Sequence, residues 1–173
     1  MGWGVVVHNL SPRAAQAVLL TITLLGSDGA VLERHMEPIP VIPAGKRFFV
    51  GEGDVLVGSQ RVHSIKAAVE CAWFGGRSGR EPRVSDVRIV KDSSGRVAEV
   101  RGTLINDTGA RLPRLTAVSC VLSDAEGGVV GGGTGFLESS LAPGATAVFH
   151  ITVGVSCSPA SQAAHAHVSV RFF

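Results

Sequence analysis

A chain of 173 residues with 45% hydrophobic and 17% charged residues has the composition of a folded globular protein, not of a disordered segment. Its net charge is +2, with basic and acidic residues interspersed, so no concentrated basic face stands ready to neutralise phosphates. Only 5% of residues are aromatic and none is Tyr, which removes the usual base-stacking platform, so no nucleic-acid partner is expected.

In chain order, Trp3, Val5 and Val7 alternate with Gly4, Val6 and His8, the period-2 pattern of a strand with one inward face. Asn9 marks the turn that ends it. Ala14 to Leu25 is the longest apolar stretch; it is too short to span a bilayer and contains Gln16, Thr21 and Thr23, so no transmembrane segment is expected. Val18 to Leu25 reads as a strand apolar enough for either face to be buried, followed by a Ser27-Asp28-Gly29 turn. His35-Met36 suggests a copper-binding pair, but the only other Met is Met1, and the idea is set aside. Ile42-Pro43-Ala44-Gly45 reads as a loop leading into a strand at Phe48 to Val50. Ile65, Ala67, Val69, Cys71 and Trp73 then alternate with Lys66, Ala68, Glu70 and Ala72, which predicts an inward row and makes Cys71 a buried core thiol.

Residues 75–83 form a Gly/Arg-rich linker, and the densest basic cluster, Arg77, Arg80, Arg83 and Arg88, is broken up by Glu81 and Asp86 and reads as a solvated segment. Val84 to Val90 predicts a strand, Asp92-Ser93-Ser94-Gly95 a turn, and Val97 to Ile105 a strand whose Val100, Gly102 and Leu104 share one face. Leu115 to Leu122 is apolar enough for burial on both faces. Gly127 to Gly135 has the glycines of a phosphate loop but lacks the following Lys-Ser/Thr and helix, so a hairpin end and a bulged strand are expected instead. Ala147 to Val153 closes the series of strands before the C-terminal stretch.

The chain also repeats itself. Val7-His8-Asn9 lines up with Leu104-Ile105-Asn106 at an offset of 97, and Ile42-Pro43-Ala44-Gly45 with Leu141-Ala142-Pro143-Gly144 at 99. Ser27-Asp28-Gly29 sits opposite Asp124 to Gly127, and Val69–Phe74 falls on Val168–Phe173, again at 99. Short strands at regular spacing with turn signals between them indicate sandwiches. The expected fold is therefore all-β, with two tandem β-sandwich modules at 1–74 and 84–173. The counterpart of the Val84–Val90 strand would precede Met1, and the reading favoured is a chain cut short there, with any signal or anchor lying upstream.

Gly102-Thr103-Leu104-Ile105-Asn106, Cys120-Val121-Leu122-Ser123-Asp124 with Gly127, and Leu141-Ala142-Pro143-Gly144 with Phe149 together resemble the FxLYD-type module. Cys120 stands where that motif has Phe and Ser123 where it has Tyr; the first copy departs further, with Thr23-Leu24-Leu25-Gly26-Ser27. The tandem arrangement looks like paired modules of actinobacterial cell-envelope or secreted proteins. The resemblance covers nearly the whole chain, implies an immunoglobulin-like sandwich and an extracytoplasmic address, and carries over no active-site residues.

Candidate chemistry is sparse. His165 and His167 are two apart on a strand and share an outward face, and His150 sits between Phe149 and Ile151, also outward. Were their strands neighbours, the three imidazoles would make a zinc or copper site; no Cys or carboxylate stands at ligand spacing beside them, and exposed sheet-surface histidines are the simpler expectation. Cys120 and Cys157 are the candidate disulfide of an exported protein, with strand geometry deciding whether they meet. No G-x-S-x-G motif and no recognisable nucleophile–His–acid relation is present, so neither an enzyme nor a cofactor is expected. The expected role is a non-catalytic binding, adhesion or spacer module of the cell envelope, with an unknown protein or surface ligand as partner. The alternatives are a metal-binding protein using His150, His165 and His167, or a cytoplasmic partner-binding subunit.

Overall fold

The computed structural model describes residues 2–53, 62–75, 80–155 and 163–172. Among them the chain contains strands and no helix: β1 (Trp3–His8), β2 (Ala15–Leu25), β3 (Val31–Ile42), β4 (Arg47–Glu52), β5 (Ser64–Phe74), β6 (Arg83–Lys91), β7 (Val97–Ile105), β8 (Ala117–Ser123), β9 (Val129–Phe136), β10 (Thr146–Thr152), β11 (Gly154–Val155) and β12 (His165–Arg171). They form four sheets, in the orders β1-β4, β3-β2-β5, β10-β7-β6 and β11-β9-β8-β12. The all-β expectation holds, and the strand ends differ from those predicted by a few residues. Leu115, predicted to begin a strand, instead sits in the preceding turn with φ 66° and is exposed.

The chain divides into two compact units that interleave in sequence. One comprises Met1–Val6, Phe48–Val55 and Gly79–Phe173, the other Val7–Arg47 and Leu56–Ser78.

The larger unit is layered around β8. Val118, Cys120 and Leu122 on one face of β8 join Val100 and Leu104 of β7 and Phe149 and Ile151 of β10 in a continuous hydrophobic core. Ser119, Val121 and Ser123 on the opposite face are buried as well. Segments of β1 and β4 lie over that second face: Phe49 N–H donates to Ser169 Oγ (2.9 Å), and Thr134 Oγ1 donates to the Gly51 carbonyl (2.6 Å). A strand covered on both sides needs apolar or small residues throughout, which is why AVSCVLS carries no charge.

The glycine run of β9 serves the same packing. A Cβ on Gly132 would fall 2.5 Å from the Trp3 carbonyl oxygen and 2.8 Å from the Gly51 Cα, so only glycine lets these backbones meet. The expected hairpin end is present: Gly127 has φ 86°, Asp124 Oδ1 accepts from Gly128 N–H at 2.6 Å, and the register shifts between Leu122 and Ser123. Close backbone approach was not anticipated from the sequence.

In the smaller unit, β2 is the central strand, paired with β3 from Ala15↔Ile42 to Leu25↔Val31 and with β5 from Ala15↔Phe74 to Leu25↔Ser64. Val18, Leu20, Ile22 and Leu24 are buried on one face. β3 was not predicted as a strand, because Pro38, Pro40 and the charged Glu33, Arg34 and Glu37 argue against one. It sits at the end of its sheet, where proline is tolerated; two apart, both prolines lack their N–H on the same side.

Each unit contains one buried asparagine with the same bonding. Asn9 Nδ2 donates to the Arg13 (2.8 Å) and Ile42 (2.9 Å) carbonyls, and its Oδ1 accepts from Ser11 N–H. Asn106 Nδ2 donates to the Ala110 (2.7 Å) and Leu141 (2.8 Å) carbonyls, and its Oδ1 accepts from Thr108 N–H. The backbone bonds match too: Asn9 N–H to Lys46 and Gly45 N–H to Asn9, against Asn106 N–H to Ala145 and Gly144 N–H to Asn106.

Candidate functional site

β5 is the strand whose environment departs most from its sequence. Its register with β2 places Ile65, Ala67, Val69 and Cys71 beside Leu24, Ile22, Leu20 and Val18, on one face of the sheet. The β2 residues of that face are at most 2% exposed, whereas Val69 is 50% exposed and Trp73 51%. The predicted inward row is thus on the predicted face, but it is uncovered. The correction extends to Cys71, which is a half-buried free thiol rather than a core thiol. Alternation reports which side chains share a face; it does not report whether another layer lies over them.

An apolar cavity of about 270 Å³ opens beside this row, entirely within the smaller unit. Val7, Val18, Ile42, Val69, Cys71 and Phe74 line it, with Leu10 at its rim, where that side chain is 82% exposed. The polar groups facing it are few: His8, Asn9 and Ser11, of which Asn9 is committed to the bonds described above. A row of exposed apolar side chains continuous with an apolar cavity marks a surface suited to a partner more than to water.

The sequence-predicted site residues fall elsewhere. His165 and His167 lie together on β12, with ring centroids 6.4 Å apart. His167 stacks on Phe49 at 5.0 Å, and its Nε2 contacts Ser123 Oγ at 3.2 Å, contacts that hold the imidazole against the sheet. His150 is on β10, in a different sheet of the same unit, with Nδ1 3.5 Å from Glu99 Oε2. Among the described residues, no group of three His, Cys, Asp or Glu side chains is arranged to hold a metal ion. Cys120 is a free thiol, wholly buried in the core, where burial pushes its pKa up to about 12. Cys157, its expected partner, lies outside the described residues, as do Arg77 of the linker and the segments 54–61 and 156–162.

One polar cluster was not anticipated. On β7, Arg101 bonds Glu99 through both Nε and Nη2, and His150 Nδ1 lies on the other carboxylate oxygen. Arg101 chiefly, with His150, holds the Glu99 carboxyl below its ordinary range. Residues 99 and 101 share a strand face, and β10 places His150 directly opposite Arg101, so cross-strand register was the missing signal.

No family model matches the chain, nor does any curated protein or solved structure. No helix among the described residues is long and apolar enough to cross a membrane.

Proposed function

We propose that this protein is a non-catalytic binding protein that captures extended polypeptide along β5, in the manner of strand addition to a sheet. The exposed apolar row of β5, continuous with the cavity beneath Val69 and Cys71, carries this reading. Main-chain groups at a sheet edge supply affinity, and alternate side chains entering an apolar surface supply selectivity.

The same reading includes an internal duplication of immunoglobulin-like modules. Its support is the pair of identical asparagine networks and the shared sheet orders β3-β2-β5 and β9-β8-β12. Under that correspondence β5 matches β12. In the larger unit, Val84 and Ile89 of β6 pack on the same core as Val168 and Val170 of β12. β6 belongs to the sheet facing β12, and β5 has no such facing strand among the described residues, so an extended ligand that lays apolar side chains on the row, as Val84 and Ile89 of β6 do on that core, is what fits it. The likeness to FxLYD-type modules supports an address in the cell envelope or outside the cell, where such a surface meets surface or secreted polypeptides.

A nine-residue synthetic peptide with the sequence of Arg83–Lys91 provides the test. Titrated into the full chain, it is expected to shift Trp73 emission to shorter wavelength with saturation, and Val69→Asp is expected to abolish the shift. An equal response to a scrambled peptide, or none to either, contradicts the proposal.

A further inference from the structure

The two ends of the β3-β2-β5 sheet are not alike. At one end β3 carries Pro38, Pro40 and three charged residues between positions 33 and 37, and its register with β2 is broken by an irregularity between Leu24 and Leu25. These are the devices by which natural sheets prevent edge-to-edge pairing. At the other end β5 carries two charges, Lys66 and Glu70, and neither of the other devices. It runs for 11 residues without proline, its register with β2 shows no shift, and no described strand pairs with its outer edge.

We infer that β5 is a self-association edge at which two copies of this chain pair antiparallel about a two-fold axis. This rests on the reading of β5 as the working surface and names its partner. Charge decides the register. Residues opposed across an antiparallel pair share a face, so a two-fold axis must pass through a residue, and the choice of residue fixes every opposition. β5 contains two charges, Lys66 and Glu70, on the face opposite the apolar row. An axis through Lys66 or Glu70 sets like charges against each other, and an axis through Ala67 or Val69 leaves both charges facing small or apolar residues. Only an axis through Ala68 sets Lys66 of each copy against Glu70 of the other, giving two ion pairs related by symmetry.

That register also matches the apolar side. Ile65 then lies across from Cys71, and Ala67 from Val69, so the two uncovered rows join into one apolar surface, while Ser64 meets Ala72 on the polar face. No side chain among these is too bulky or wrongly charged for its counterpart. The sheet becomes a six-stranded one, closed at its outer ends by the protected β3 of each copy.

Sedimentation equilibrium of the full chain across the micromolar range, with charge-swap variants, tests this. The wild type is expected to dimerise. Lys66→Glu alone and Glu70→Lys alone each oppose like charges and are expected to weaken the dimer by about tenfold or more. The double variant Lys66→Glu with Glu70→Lys restores opposite charges and is expected to return the dimer to near wild-type strength, which a merely folding-related effect would not do. A wild type that stays monomeric, or single variants that dimerise as well as the wild type, overturns the inference. If the Arg83–Lys91 peptide still shifts Trp73 emission in that case, strand capture on β5 stands and only the self-pairing fails. If neither the dimer nor the peptide response appears, both fail.

Discussion

The buried amide of Asn9 donates to the Arg13, Ile42 and Pro43 carbonyls and that of Asn106 to the Ala110 and Leu141 carbonyls, and the bonds to Ile42 and Leu141 are buried. Truncation leaves the acceptors unpaired, so Asn106→Ala is expected to cost about 2–3 kcal/mol, read from the urea midpoint at unchanged m-value. Asn9→Ala is expected to act on the smaller unit in the same way. The thiols should separate equally clearly. Cys71 lies at the mouth of the cavity and should react with iodoacetamide in the native protein, whereas Cys120 should be modified only after unfolding. Its raised pKa adds a pH dependence: the unfolded thiol ionises near its ordinary 9.0 and the folded one near 12. Stability contributed by the neutral thiol is therefore complete below pH 9 and declines as pH rises above it. Glu99 has the opposite sign. Its carboxyl is held below its ordinary 4.5, so the stability it lends is present above that value and is lost as pH falls through the depressed one. Melting curves from pH 6 downward should show an acid-side loss that Glu99→Gln reduces.

At the level of elements, most strands were legible because alternation and turn residues survive in the sequence. The pattern of β2, the Asp-Gly turns and the two-sided burial of β8 all follow from residue types. β3 was not legible, since its prolines and charges are tolerated by its place at a sheet end, and that place is a property of the whole sheet. The function of the β9 glycines was hidden for a related reason: the backbones that crowd Gly132 belong to Trp3 and Gly51, more than 80 residues away in sequence. Gly132→Ala should accordingly destabilise the larger unit by about 1–3 kcal/mol, the cost of forcing one methyl group into a filled interior. Denaturation followed in parallel with an exposed control such as Ala110→Gly would locate the effect in packing.

For the whole molecule, the aligned segments around Asn9 and Asn106 share one bonding pattern in the structure, but nothing in the alignment says which layers meet. The residues 3–6 and 48–52 contribute to a unit otherwise built from the second half of the chain, an arrangement that pairwise similarity between the halves has no means of encoding. The candidate site was legible only in part for the same reason. Ile65, Val69, Cys71 and Trp73 were recognisable as one apolar row, and the absence of a covering strand among the described residues was not. The histidines were recognisable as outward, yet His150 and the His165–His167 pair belong to different sheets, which only topology decides. What distinguishes this molecule is a sheet protected at β3 and open at β5, and binding at that open end is the claim on which its proposed role depends.

Amide hydrogen exchange of the full chain, with and without the Arg83–Lys91 peptide, tests that claim most directly. The account predicts slower exchange along residues 64–74 on adding the peptide, with β3 unchanged. Protection absent from β5, or spread equally over both ends of the sheet, would contradict it.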